Sequence, residues 1–271
     1  MSWEGGEKER GWTRREWVRL GMTAGTVGAL GALVASSAGQ LLPPPLKFNG
    51  EIREQLHYTK FPTPQWWNPR AGKPMKVVDF VTEWLGATGV WRGLFADGRY
   101  VPGTGFPVIV VRIKRDLMNF REPTAQAMPG PLPEGFSLYY DDPNRDPDRG
   151  VRIVVMFARC IHLCCYPGWH VVDDPPPSRE YAKYLPPDRA EKEPWSFRLY
   201  GQDPVYCVCH GSQYEPTSLV VNDNEKSGAK YVGAERVHGP AHRALAIVPV
   251  KVQNDVLVGG MADPRWYIYC A

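Results

Sequence analysis

The chain has 271 residues, 43% of them hydrophobic and 23% charged, enough apolar side chain to bury a real core and to exclude wholesale disorder. Its 27 prolines and 27 glycines favour strands and loops over a helical bundle. A net charge of +3, with 32 Lys and Arg interspersed among 29 Asp and Glu, leaves no basic stripe to track phosphates, so nucleic acid is excluded as an expected partner.

Residues 1–19 carry Lys8, Arg10, Arg14, Arg15 and Arg19 among four glutamates, and no charged side chain follows from Leu20 to Leu46. Leu20 to Leu42 would measure about 34 Å as a helix at ~1.5 Å per residue, close to the ~30 Å hydrocarbon core of a bilayer. The stretch is only moderately apolar, and Pro43-Pro44-Pro45 stops it. Residues 1–19 therefore read as a cytoplasmic n-region and 20–42 as a transmembrane anchor or signal. Thr13-Arg14-Arg15-Glu16-Trp17-Val18-Arg19 resembles the twin-arginine export signal, which carries folded proteins, and Ala35-Ser36-Ser37-Ala38 offers a small-residue cleavage site beside the anchor reading.

Residues 43–75, with Pro62, Pro64, Pro69 and Pro74, are expected to form an extended linker or wrapping arm without regular structure. A head domain then spans 76–271. Val78, Val81, Trp84 and Leu85 fall on one helical face and suggest a short helix within 78–95. The tryptophans Trp66, Trp67, Trp84 and Trp91 read as packing residues. β-Branched runs predict strands at Val108 to Ile113, Val151 to Phe157 and Ala244 to Val252, with a terminal strand at Trp266 to Tyr269. Asp173 to Pro194 is too rich in proline and charge to bury much and reads as a surface insertion, within a longer interruption over 166–206.

All six cysteines lie in the second half of the chain: Cys160, Cys164, Cys165, Cys207, Cys209 and Cys270. Cys160-Ile161-His162-Leu163-Cys164-Cys165 and Cys207-Val208-Cys209-His210-Gly211-Ser212-Gln213-Tyr214 each offer a cysteine and a histidine at short spacing. Two thiolates and two imidazoles suit a Rieske centre, in which one iron takes the cysteines and the other the histidines, and they also suit tetrahedral zinc. Spacing alone leaves both open. His57 and His170 fall in no such pattern.

The two segments closely resemble the cluster loops of the Rieske iron-sulfur protein of cytochrome bc-type complexes, which read CTHLGC and CPCHGSxY where this chain has CIHLCC and CVCHGSQY. The resemblance implies a 2Fe-2S cluster with Cys160 and Cys207 on one iron and His162 and His210 on the other. It implies a disulfide between Cys165 and Cys209, which suits an oxidising compartment. It also implies hydroxyl hydrogen bonds from Ser212 and Tyr214 to the cluster sulfurs. His238-Gly239-Pro240-Ala241-His242 looks like the family's proline loop, so Gly239 and Pro240 are expected to cover the cluster. The functional likeness covers about 150–250. Cys164 stands where the family has glycine, and the spacing from His162 to Cys207 is unusually long. Cys164 is left either to pair with Cys270 or to serve as a small buried hydrophobe. His238 and His242 flank the loop.

The implied fold is all-β, a Rieske-type antiparallel β domain with a cluster-binding subdomain, preceded by one N-terminal transmembrane helix. The implied function is that of the membrane-anchored subunit of a respiratory-chain oxidoreductase, the quinol-cytochrome c reductase type. Such a subunit works with cytochrome b and c-type cytochrome subunits, its head on the periplasmic side. It takes an electron from quinol, whose proton goes to His210, with His162 on the same iron and Leu163 at the loop tip. The alternative is the Rieske small subunit of an exported arsenite-oxidase-like molybdenum enzyme, a simple electron relay.

Overall fold

The computed structural model describes residues 50–62, 64–113, 115, 120–146, 148, 150–165, 205, 207, 209–210 and 212–268. The charged head 1–19, the stretch 20–42, the triple proline, nearly all of the 166–206 insertion, His170 and Cys270 lie outside them. Among the described residues no helix is long and apolar enough to cross a membrane, and helical structure is limited to short 3-10 turns.

The residues from Asn49 onward form one compact unit of antiparallel sheets. Its centre is a five-stranded sheet in the order β2 (His57–Tyr58), β3 (Gly86–Trp91), β6 (Phe106–Ile113), β8 (Val151–Phe157), β7 (Tyr139–Asp142). The expected β-branched runs supply its two middle strands, β6 and β8. Val108, Ile109, Val110, Val111, Ile153, Val154, Val155 and Met156 have no exposure, as expected of strands covered on both faces. β7 is an edge and reads Tyr-Tyr-Asp-Asp, a charged rim that resists edge-to-edge pairing.

Three smaller sheets surround this one. β1 (Gly50–Arg53), β4 (Gly93–Ala96) and β5 (Arg99–Tyr100) form the first. β9 (Gln213–Asn224), β10 (Ala229–His238) and β11 (Leu245–Ala246) form the second, and β12 (Val250–Gln253) pairs with β13 (Val256–Gly259). Single bonds stitch them to the centre: Val248 N–H donates to Val155 O at 2.9 Å and Leu56 N–H to Leu257 O at 2.9 Å.

One buried charge holds loops to the central sheet. Arg112, on β6, is 4% exposed, and its guanidinium donates to Phe80 O, Val81 O, Gly150 O and the Asp146 carboxylate at 2.6 to 3.0 Å. Four acceptors offset the cost of taking the charge out of water.

Four expectations are corrected. The arm over 43–75 is not without regular structure: its described part carries β1, β2 and a 3-10 turn, Asn68–Arg70, and Leu56, Tyr58, Trp67 and Met75 are fully buried. The prolines punctuate this segment, but the large side chains between them find the core.

No helix forms within 78–95. A 3-10 turn at Val77–Asp79 is followed by β3 and β4, and Val78 and Val81 are 57% and 70% exposed, so the supposed apolar face is not buried. Gly86 and Gly89 disfavour a helix, Thr88 and Val90 favour a strand, and a Cβ on Gly89 would stand 2.5 Å from His57 O.

The run Ala244 to Val252 splits into β11 and β12, because Pro249 has no N–H for a ladder. The terminal strand is replaced by a 3-10 turn, Pro264–Tyr267, started by Pro264 and by Asp263 Oδ1 accepting from Arg265 N–H at 2.9 Å. Tyr269 lies outside the described residues. Trp67, Trp84 and Trp91 are core residues as expected, and Trp66 packs against that core.

Candidate metal centre

Two loops at one end of the β-structure build the site, and they close in the same way. In residues 160–165, after β8, Cys160 N–H donates to Cys165 O at 2.6 Å; in residues 207–212, before β9, Cys207 N–H donates to Ser212 O at 2.8 Å. Each ring therefore starts at a cysteine N–H and ends five residues on. Tyr214 N–H donating to Val205 O at 3.1 Å continues the second loop into β9. The disulfide between Cys165 and Cys209, with Cα atoms 6.5 Å apart, ties one loop to the other across 44 residues of sequence.

Cys164 has φ +60°, the left-handed conformation that favours glycine, at the position where the resembling motif has one. A non-glycine residue there is strained by about 1 kcal/mol. Arg159 steadies the turn by donating to Cys164 O at 3.5 Å. Cys164 is not a free thiol; Cys270, the partner considered for it, lies outside the described residues.

The free thiols are Cys160 and Cys207, both 1% exposed. They share a hydrogen bond that pulls Cys160 down to about 5, with Tyr214 and Ser212 adding to the pull against burial, and that pushes Cys207 up. Two buried thiols this close are placed to give up their protons to a metal. Tyr214 Oη lies 3.3 Å from Cys160 Sγ, within hydrogen-bond reach, and burial raises the tyrosine's pKa well above its ordinary value, so it carries a proton it can donate. Ser212 is fully buried, and its Oγ accepts from Ala241 N–H at 3.1 Å, leaving the hydroxyl proton to be donated elsewhere.

The imidazoles form a second pair. The rings of His162 and His210 are 4.6 Å apart, edge to face. His162 Nδ1 is buried and makes no hydrogen bond, an orphaned nitrogen of the kind that a metal satisfies. His210 is exposed and Leu163 is 65% exposed, so both reach solvent at the tip.

The loop after β10 covers the second ring. Gly239 turns it with φ +87°, Arg236 holds it by donating to Gly239 O at 3.0 Å, and Ala241 N–H closes it onto Ser212. Pro240 and His242 are exposed, and the His238 backbone pairs with Gln213. The roles of Arg236 and Ala241 had no signal in the sequence, because they depend on the register that sets Arg236 opposite Tyr214.

Three cysteine sulfurs, of Cys165, Cys207 and Cys209, lie within 4.8 Å of one another and form a group that can hold a metal ion. Two of them are spent in the disulfide, so the thiolates available are Cys160 and Cys207. Among the described residues no trio that includes a histidine converges within that distance. Thiols pair with thiols and rings with rings, so the four side chains are not gathered round one point. No protein-family model matches the chain, and no curated protein matches it.

Proposed function

We propose that the site holds a Rieske-type 2Fe-2S cluster, with Cys160 and Cys207 on one iron and His162 and His210 on the other, and that the chain is the electron-transfer subunit of a cytochrome bc-type complex. The observation that carries this reading is the separation of the donors into a buried thiol pair and an imidazole pair, joined by one disulfide. A single tetrahedral zinc needs all four donors at ~2.0 to 2.3 Å from one point, which would bring sulfur and nitrogen together. A two-metal cluster with mixed ligation needs the pairs apart.

Such a cluster accepts one electron, at a potential that histidine ligation raises above that of an all-cysteine cluster. The chain's own residues supply the rest. Tyr214 and Ser212, both within hydrogen-bond reach of the Cys160 sulfur, are placed to donate to it, which favours the reduced state. Pro240 and Ala241 shield one side from water. His210, exposed at the tip beside Leu163, is placed to accept a hydrogen bond and then a proton from a quinol hydroxyl. Leu163 offers an apolar contact for the quinone or for the cytochrome b surface. The uncharged stretch 20–42 is the proposed anchor, with the head on the periplasmic side and a c-type cytochrome as acceptor.

Metal and acid-labile sulfide analysis of the purified protein tests the cluster. Two irons and two sulfides per chain are expected of this cluster type. Stoichiometric zinc without sulfide would overturn it. Copurification with a cytochrome b is expected, and a molybdenum subunit in its place would mark the arsenite-oxidase-like relay instead.

A further inference from the structure

A second site lies away from these loops, between the β4–β5 turn and the ribbon that joins residues 58–60 to 71–73. It is an open cleft of about 580 Å³, and Lys60, Lys73 and Arg99 line it with no carboxylate among its walls. Of its two tyrosines, Tyr58 donates its hydroxyl to Asp79 at 2.9 Å and Tyr100 to Thr104 O at 2.9 Å, so the charge facing the cleft is that of the three cations.

Arg99 is unlike the other arginines. Every other described arginine makes a hydrogen bond or an ion pair: Arg53, Arg70, Arg92, Arg112, Arg115, Arg121, Arg145, Arg152 and Arg265 with carboxylates, and Arg159, Arg236 and Arg243 with carbonyl or amide oxygens. Among the described residues the side chains of Arg99, Lys60 and Lys73 have no such partner. Three like charges round one open concavity, with no carboxylate among its walls, attract an anion.

The rim is open as well as cationic. Gly72, Gly98 and Gly103 all line the cleft with φ between +75° and +82°, and a Cβ built on any of them would meet nothing within 4 Å. Side chains are thereby kept off the mouth, where an anion can approach the backbone closely.

We infer that this cleft binds a phosphoryl group, with Arg99 as its fork and Lys60 and Lys73 as point charges. Three positive charges match a multiply charged phosphate better than a lone carboxylate, and a guanidinium fork suits two phosphate oxygens. The phosphoryl group comes either from a soluble phosphate compound or from an anionic lipid headgroup. The site does not depend on the reading of the metal centre.

Lysine acylation of the full chain in neutral-detergent micelles, read residue by residue by mass spectrometry, tests it. Inorganic phosphate is added in one arm and phosphatidylglycerol in the other, with exposed Lys230 as the internal control. In at least one arm Lys60 and Lys73 are expected to react about tenfold more slowly, with Lys230 unchanged, and Arg99→Gln is expected to remove that protection. Protection by phosphate identifies the soluble source, and protection by phosphatidylglycerol alone identifies the headgroup. Lys73→Gln, read at Lys60, repeats the test should the first variant fold poorly. No protection in either arm, equal protection of Lys230, or protection that survives both substitutions would overturn the site.

Discussion

The central sheet is closed by burial: Val108, Ile109, Val110 and Val111, and Ile153, Val154, Val155 and Met156 on the strand beside them, have no exposure. The loops at 160–165 and 207–212 instead meet through a disulfide, a thiol pair, two imidazoles and a few hydrogen bonds, and they leave Leu163 and His210 in water. In the first region stability comes from apolar area, at roughly 25 cal/mol per Å². In the second, Cys160, Cys207 and Tyr214 reach the core while the tip does not, and a disulfide ties the two loops together. Damage to one region should therefore be legible in the other only weakly.

The largest expected separation is at the thiols. Cys160→Ala or Cys207→Ala should abolish the proposed metal centre, with iron and sulfide at background, while circular dichroism keeps the β signature. Unfolding of the whole chain would break the comparison. Arg112→Met should do the reverse. Phe80 O, Val81 O, Gly150 O and Asp146 all lose their donor, and the cost by thermal or denaturant unfolding should be about 3 kcal/mol. The visible spectrum of the centre should stay as it was.

Within the tip, Ser212→Ala and Tyr214→Phe should leave the centre assembled and lower its midpoint potential. A hydrogen bond to a charged acceptor contributes roughly 1.5 to 3 kcal/mol, so each shift should be several tens of millivolts. Ser212→Ala also removes the acceptor of Ala241 N–H and so loosens the covering loop.

The smallest effect sharpens the comparison from the other side. His57 is 1% exposed, stacked on Phe95 at 4.4 Å, with its Nδ1 on Gln55 O and its Nε2 without a partner. Burial lowers its pKa below the ordinary 6.5, with Arg53 adding to the effect and the Gln55 bond opposing it. The unfolded chain then binds the extra proton more readily than the folded one. Stability carried by neutral His57 is present above about pH 6.5 and is lost as pH falls through the lowered folded-state value. His57→Phe should flatten that slope in unfolding experiments and leave the potential of the centre unchanged.

How far the sequence reveals each region follows from the same physics. Strands β6 and β8 were legible because both their faces are buried, which demands an unbroken β-branched run. The long hairpin of β9 and β10 was not, since Gln213-Tyr214-Glu215-Pro216-Thr217-Ser218 buries polar side chains whose partners the fold supplies, Glu215 for Thr217 and, across the sheet, Glu235 for Ser218. Leu56, Tyr58 and Trp67 were hidden among prolines that suggest an arm, and Val78 and Val81 mimic a helical face by spacing alone. At the candidate site, the cysteines and histidines stood out because two Cys–His pairs at short spacing suit metal chemistry, and Ser212 and Tyr214 were named from the family resemblance. Arg236 could not, because its hold on Gly239 O depends on a bulged hairpin register.

The most direct test of the centre is pulsed electron paramagnetic resonance on the reduced full-length protein labelled with ¹⁵N-histidine. The account predicts two histidine nitrogens coupled directly to the electron spin, from His162 and His210. A paramagnetic cluster with no coupled histidine nitrogen, or a reduced protein with no signal and zinc in the site, would contradict it.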